Sequence, residues 1–312
     1  MDEVKDFESF YSIKLQPCLN EIREKDNQAE KWDIIMSISA VATLAFFGCY
    51  FIALMGTDGI LLGFISLVIF IVSVYNYAKR DDLFNEAFKE KIIRQIANYL
   101  LPGVNYQPTG FVTAKEYKYS GLYRRRYDDL YGDDFVEGIY KNVSFHCSEL
   151  QTEINENRRR PIIIFKGLFF VANVRTHLTG ATYIWARGNE QLGVSVADER
   201  YRLFGLPKVY GMNMQNPLFE EYFSVYSTDP HEARSVLTNE MMNAILKFRQ
   251  QIQRAVSLSF VAGHCYVAIP IMEDLLEASD KDMEDKEEIK KYFFTFLLIF
   301  SIINQLQLNR LV

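Results

Sequence analysis

Cysteine and histidine are both scarce, with four of each in 312 residues. Cys18, Cys49, Cys147 and Cys265 lie far apart, which excludes a disulfide framework and the paired spacing of a zinc site. Isolated thiols in a reducing compartment are the expectation. Of the histidines (His146, His177, His231, His264), only His146-Cys147 and His264-Cys265 bring a histidine near a cysteine. Adjacent residues of a strand point to opposite faces, so neither pair chelates. Also missing are the phosphate loop, the nucleophile elbow, the zincin helix and the dinucleotide fingerprint. Phe165-Lys166-Gly167-Leu168-Phe169-Phe170 holds one glycine among aromatics that suit sheet packing, and is no phosphate loop. No catalytic set, metal ion or cofactor is expected. A basic excess is missing too: the net charge is −6, which argues against nucleic acid as a partner, since duplex binding leans on phosphate neutralisation.

Charge is absent from one stretch almost entirely. Between Ile34 and Ala78 the only charged residue is Asp58, a pattern hidden by a mean hydropathy of −0.06. Ile34 to Met55 is uncharged and, as a helix, spans roughly 33 Å, against about 30 Å of bilayer hydrocarbon. Ile60 to Ala78 is just long enough for a second span. Gly56-Thr57-Asp58-Gly59 between them reads as a minimal turn, which makes the spans antiparallel neighbours. Ser, Gly and Ala in the first span allow close helix approach. Trp32, Tyr75 and Tyr77 fall where an interfacial aromatic belt belongs. The turn carries no Lys or Arg, whereas Lys25, Lys31, Lys79, Arg80, Lys89, Lys91 and Arg94 flank the spans, so both termini are expected in the cytoplasm. The rival, a buried hairpin in a soluble protein, fits poorly because core helices are rarely apolar all round at this length. A cleavable leader is not expected, since the first apolar run begins only at residue 34.

The flanking segments read as helices. Phe10, Ile13, Leu15, Leu19 and Ile22 mark one face of residues 5–31, with a kink or break predicted at Pro17. Leu83, Phe84, Phe88, Ile92, Ile96 and Tyr99 mark one face of 81–101, which Pro102-Gly103 stops. The two are expected to pack together as a stalk.

Beyond residue 110 the period changes to two. Phe135–Tyr140 and Val143–Leu150 read as a strand pair turning at Lys141-Asn142, with Val143, Phe145 and Cys147 on one face and Ser144, His146 and Ser148 on the other. Pro161–Val171 and Thr182–Trp185 continue the sheet, 186–217 reads as a long connection, and Phe219–Tyr226 as another strand. Asp229-Pro230-His231-Glu232 predicts a helix start with Glu232 closing a capping box, and Thr238 caps a second helix. Val256–Val261 and Cys265–Ile271 form a hairpin around a three-residue loop. The uncharged run Tyr292–Ile303 is short for a span and reads as a helix buried on the sheet. The fold class is therefore α+β: a transmembrane helical hairpin, then a mostly antiparallel sheet covered by helices. The expected segments are 1–33 (cytoplasmic helix), 34–78 (membrane hairpin), 79–103 (amphipathic stalk) and 104–312 (soluble domain).

Two arginine triplets stand out, Arg124-Arg125-Arg126 and Arg158-Arg159-Arg160. On a domain tethered to an anionic leaflet they are candidates for docking on lipid head groups; balanced surface charge is the plainer alternative. Asp128, Asp129, Asp133 and Asp134 follow the first triplet, and read as a self-pairing loop rather than a cation site, because their spacing matches no EF-hand loop.

The Phe165–Phe170 run, Phe223-Ser224-Val225-Tyr226-Ser227-Thr228-Asp229-Pro230, Glu232-Ala233-Arg234, Leu237-Thr238, the stretch from Tyr131-Gly132-Asp133-Asp134 to Glu149, and Leu258-Ser259-Phe260 together resemble an uncharacterised bacterial family of membrane-anchored proteins, catalogued as a domain of unknown function. The similarity covers roughly residues 80 to 310. It implies two membrane helices ahead of the shared region, a location in the inner membrane, and a link to LemA-like membrane proteins; it brings no catalytic residues. The resulting expectation is a membrane-tethered cytoplasmic interaction or scaffold module, with membrane lipids and a protein, LemA-like or a second copy of the chain, as partners. The alternative is a membrane-bound enzyme acting on a phosphate-containing or lipid substrate, which requires His146, an acid and one of Arg124 to Arg126 to converge. Transport is disfavoured, because two spans without an internal ionisable residue offer no polar path unless several copies assemble.

Overall fold

The computed structural model describes residues 7–51, 56–155, 160–174, 179–189, 209–277 and 285–311. The chain divides into two compact units, Met1–Gln95 with Glu277–Lys290, and Ile96–Leu276 with Lys291–Val312.

The first unit is helical: α1 (Phe7–Phe10), a π-turn at Tyr11–Leu15, α2 (Gln16–Phe51), α3 (Gly56–Phe88) and a second π-turn at Lys89–Ile93, which leads into α4 (Arg94–Leu100). The helix is not broken at Pro17. Helical backbone is continuous from Phe7, so Pro17 stands in a helix interior, directly after a π-turn that accommodates it. The irregularity lies one turn earlier, where Gln16 N–H bonds back to the Tyr11 carbonyl. Gly56–Gly59, expected as the turn, is instead the start of α3, and residues 52–55 lie outside the described residues.

α2 and α3 run antiparallel along their length. Cys18 Sγ accepts from Gln95 (3.1 Å) and Glu21 pairs with Lys91 (2.5 Å). Further along, the Thr43 hydroxyl donates to Ser66 Oγ (3.0 Å) and the Phe47 ring sits 3.1 Å from where a Cβ on Gly63 would stand. The expected pairing of the N-terminal helix with the segment after α3 is thus present. Leu15, Leu19, Ile22, Phe84, Phe88, Ile92 and Ile93 are buried. Between residues 34–48 and 60–76 the pattern inverts: Ser39, Ser66 and Ser73 are buried, while Val41 (68% exposed), Leu44 (77%), Val68 (59%), Ile38, Leu61 and Ile71 point outward.

The second unit is built on nine strands among the described residues: β1 (Asn105–Gln107), β2 (Asp129–Tyr140), β3 (Val143–Ile154), β4 (Ile162–Asn173), β5 (Ala181–Ala186), β6 (Tyr210–Met212), β7 (Phe223–Ser227), β8 (Ser257–Val261) and β9 (His264–Pro270). They form one sheet in the order β1-β2-β3-β4-β9-β8-β5-β7-β6, and every pairing is antiparallel. The β2–β3 hairpin turns at Lys141 and Asn142, both left-handed (φ 49° and 67°), as a two-residue hairpin turn requires. The β8–β9 loop is one residue shorter than expected: Val261 pairs with His264 across Ala262-Gly263. Residues 217–222 are not strand but a short helix, α6 (Pro217–Tyr222), because Asn216 accepts from Phe219 N–H as N-cap and Pro217 takes the first position. Strand β7 begins only after it.

α5 (Ala114–Ser120) lies on one face of the sheet, where Tyr117 joins the cluster of Phe165, Phe169, Tyr183, Trp185 and Tyr266. α9 (Lys286–Gln305) meets the opposite face: Phe300 stacks on Tyr140 (5.3 Å) and meets Phe145 edge-on (6.1 Å). Among the described residues one helical stretch, Lys286–Arg310, is long and apolar enough to cross a membrane by length and composition, and half of its most apolar window is buried. The buried half includes Phe293, Phe296, Ile299, Phe300, Ile302 and Ile303, so the apolar face of this helix is already covered by protein, as expected for a helix on the sheet. Within α2 and α3 the apolar stretches among the described residues are Ile34–Gly48 and Ile60–Asn76.

α7 (Pro230–Val236) starts as predicted, with Asp229 accepting from His231 and Glu232 N–H and Pro230 in the first turn. α8 (Asn239–Ile252) has Thr238 as its N-cap. Glu232 does not close a capping box. Its carboxylate accepts instead from Thr179 N–H (2.9 Å), the Thr179 hydroxyl (2.6 Å) and Gly180 N–H (2.6 Å), clamping the lead-in to β5. The hydrogen bonds from Thr179, then that from Gly180, hold its carboxyl below the usual range. Such a group stabilises the fold above its unfolded pKa, and that contribution is lost as pH falls through the lower folded value. Glu232→Gln is expected to cost about 1 kcal/mol at pH 7 and less near pH 4. Urea unfolding at both pH values checks this; equal losses would show that the carboxylate's charge is irrelevant.

Candidate functional site

The residues singled out in the sequence are not gathered into one place. The first arginine triplet splits. Arg126 is exposed and Arg125 half-buried, but Arg124 is only 2% exposed. Its guanidinium lies 4.7 Å over the Tyr183 ring and 5.9 Å from that of Trp185. Arg124 Nε reaches the Gly121 carbonyl at 3.4 Å. Arg124 is thus removed from any lipid-facing surface. A planar cation stacks on aromatic faces at lower hydration cost than an ammonium, which is why an arginine can be buried here. Arg160 is exposed; Arg158 and Arg159 lie outside the described residues.

The surroundings of Arg124 are aromatic. Tyr183 and Trp185, two apart on β5, stack at 5.3 Å, and Trp185 Nε1 donates to the Leu122 carbonyl (2.9 Å). Tyr117 lies parallel to Tyr123 at 5.7 Å and its hydroxyl meets Thr152 Oγ1 at 2.8 Å. Burial pushes the Tyr117 and Tyr123 hydroxyls well above the ordinary phenol range. Burial raises Tyr183 as well, with Arg124 pulling the other way. These phenols stay protonated at physiological pH. Gly121 ends α5 in the left-handed region (φ +64°), and a Cβ there would stand 2.5 Å from the Tyr183 ring.

His146 does meet an acid. Its Nε2 lies 2.8 Å from Glu116 on α5, and Glu116 also accepts from Thr113 N–H (3.1 Å) and the Thr113 hydroxyl (2.7 Å), completing a capping box. Burial pushes the Glu116 carboxyl up, but the Thr113 hydrogen bonds and His146 outweigh it and the net direction is downward. The pair ties α5 to β3. Arg124 does not join it: its guanidinium stacks on β5, and β4, β9 and β8 intervene between β3 and β5 in the sheet.

The aspartates fasten turns. Asp128 accepts from Asn155 N–H (2.8 Å) and Asp129 from Asn155 Nδ2 (2.6 Å). Asp134 is buried at the β2 irregularity and accepts from the Tyr106 hydroxyl. Among the described residues no group of three or more His, Cys, Asp or Glu side chains could hold a metal ion. Cys147 and Cys265 are buried free thiols, and burial raises both well above the ordinary thiol range.

One group was not singled out from the sequence. Glu149 on β3 is 8% exposed, and its Oε2 accepts from Leu275 N–H (2.9 Å). Burial first, then the nearby Asp133 and Asp274, push its carboxyl up to about 7, against the downward pull of the Leu275 hydrogen bond and Lys166. In sequence it is one acid among forty acidic residues; only its place inside the alternation of β3, between Cys147 and Gln151, hinted that it faces protein.

The class defined by fold and site is an α+β protein with a nine-stranded antiparallel sheet, helices on it, and no assembled catalytic centre among the described residues. Residues 163–308, from β4 to just beyond α9, match a family whose model is described as "Protein of unknown function (DUF3137)". No curated protein matches the chain. Among solved structures, the crystal structure of the mycobacterial trehalose monomycolate transport factor A, TtfA, aligns with a TM-score of 0.35 at 11% identity, over 70% of this chain and 96% of that one. A TM-score of that size does not establish a shared fold.

Proposed function

We propose that the chain is a membrane-tethered interaction or scaffold module: α2 and α3 cross the bilayer twice, both termini lie in the cytoplasm, and the sheet unit binds a protein partner there. The observation that supports this is the inverted pattern of the α2–α3 pair. Ser39, Thr43 and Ser66 lie along the helix–helix seam, and large aliphatic side chains face outward on both helices. In water that surface would be a liability far larger than the apolar patches of ordinary soluble proteins; in hydrocarbon it is at ease, and the serine and threonine hydroxyls find partners in the helices. The C-terminal helix is the weaker candidate for a span, since lipid would have to replace contacts with Tyr140 and Phe145 that it already makes. Orientation rests on the cationic flanks and a connection without Lys or Arg.

Binding is the reading preferred to catalysis, because the His146–Glu116 pair joins β3 to α5 while Arg124, in the loop after α5, stacks on Tyr183 of β5. Head-group docking narrows to Arg125, Arg126 and Arg158 to Arg160, with Arg124 withdrawn into the core. A LemA-like protein and a second copy of the chain are the partners to test first.

The test is fractionation of cells making the full-length protein. The expected result is a membrane pellet that resists alkaline carbonate and is released by detergent, with a C-terminal reporter protected in intact cells. Recovery in the supernatant without detergent would end the proposal; a reporter exposed outside the cytoplasm would reverse the orientation alone.

A further inference from the structure

The segment after β9 is strapped across the sheet by a few polar contacts. Ile271 N–H donates to the Lys166 carbonyl (2.9 Å). Lys166 Nζ binds the Asp274 carboxylate (2.6 Å). Leu275 N–H donates to Glu149 (2.9 Å). Ile271 and Leu276 are buried at either end. Leu276 is also the last residue of the sheet unit before the chain passes into the helical unit at Glu277.

The fastening at Glu149 is electrically awkward. The charged groups that face it are Asp133 on β2, its cross-strand partner, Asp274 on the segment, and Lys166 on β4. Two of the three are anions, and the cation already holds Asp274. An ionised Glu149 is therefore nine-tenths buried between two like charges, with Leu275 N–H as its hydrogen bond from the segment. Buried carboxylates in such a setting either keep their proton or admit water. When protonated, Glu149 still accepts from Leu275 N–H and its O–H can donate to either neighbouring carboxylate. When ionised, it is relieved most simply by lifting the segment, which hydrates Glu149 and takes Asp274 away.

We propose that Ile271–Leu276 is a pH-operated latch fastened by Glu149: closed while that carboxyl carries its proton, released when it ionises. It stands independently of whether α2 and α3 cross a bilayer.

The pH window follows from the group itself. In the closed state the proton is lost near pH 7, and in the open, hydrated state near the ordinary 4.5. The closed state thus binds more protons between these values, so the opening constant rises with pH there and levels off above. Between pH 5 and pH 7.5 it should grow on the order of fiftyfold. Hydrogen exchange of the full-length protein in detergent, corrected for the intrinsic pH dependence of exchange, reads the Leu275 amide directly. The expected results are falling protection of residues 271–276 across that range, a protected and pH-independent segment in Glu149→Gln, and in Asp274→Asn a midpoint moved to lower pH, because one repelling anion is gone. Flat protection in the unmutated protein overturns the latch. So does an unchanged pH profile in Glu149→Gln or, should that variant not fold, an unmoved midpoint in Asp274→Asn.

Discussion

Gly167→Ala is expected to disrupt the sheet outright. Gly167 sits on β4 between Leu150 of β3 and Pro270 of β9, at φ +144°. A Cβ there would stand 2.3 Å from the Ile269 carbonyl oxygen and 2.5 Å from Ile271 N. Both are backbone atoms of the neighbouring chain, and Ile271 N is engaged with the Lys166 carbonyl. Neither can swing aside as a side chain would, so the strands must part. β9 is the central strand of the nine and β4 its neighbour, so parting them splits the sheet into four strands and five. The loss should exceed about 4 kcal/mol, the range reserved for substitutions that break a named constraint. Gly103→Ala is the control. It shares the left-handed backbone (φ +83°), but nothing lies within 4 Å of its would-be Cβ, so it should cost only about 1 kcal/mol. Urea unfolding of the two variants decides the matter; similar losses would show that the close approach at Gly167 is unimportant.

Arg124→Ala should come next, at about 3 kcal/mol. It removes a stacked cation that meets two rings, worth roughly 2 kcal/mol when desolvated, and leaves space in a close-packed cluster. Arg124→Met restores part of the volume without the charge and should recover about 1 kcal/mol. Arg124→Lys keeps the charge but loses the planar stack, and should stay close to the alanine variant. Trp185, 5.9 Å from the guanidinium, gives a fluorescence readout of the same site. An exposed docking arginine would behave differently: its replacement would stay within about 0.5 kcal/mol. A loss that small, or a larger effect on membrane binding than on unfolding, would return Arg124 to the surface.

Local patterns carried well from sequence to structure. The β2–β3 hairpin was legible because period-two burial and a two-residue turn agree: Val143, Phe145 and Cys147 are buried while Ser144 is exposed. The starts of α7 and α8 were legible because Asp229 and Thr238 satisfy N–H groups a few residues away. Where two local codes overlap, the reading failed. Asn216-Pro217 starts a one-and-a-half-turn helix that runs into what was read as strand from Phe219, and Glu232 found a better donor set at Thr179-Gly180 than its own helix end.

By itself the sequence determined the period of each element, the caps, the apolar run between Ile34 and Ala78, and the absence of any phosphate loop or metal spacing. These depend on residues within a few positions of one another, and a linear pattern records them. The tertiary structure alone decided which member of an arginine triplet is buried, which of many glutamates sits among like charges, and why a single glycine must lie between β3 and β9. Those outcomes depend on the local dielectric and on which backbones approach across the sheet, and both are set by partners up to 126 residues apart in the chain, as Glu149 and Leu275 are.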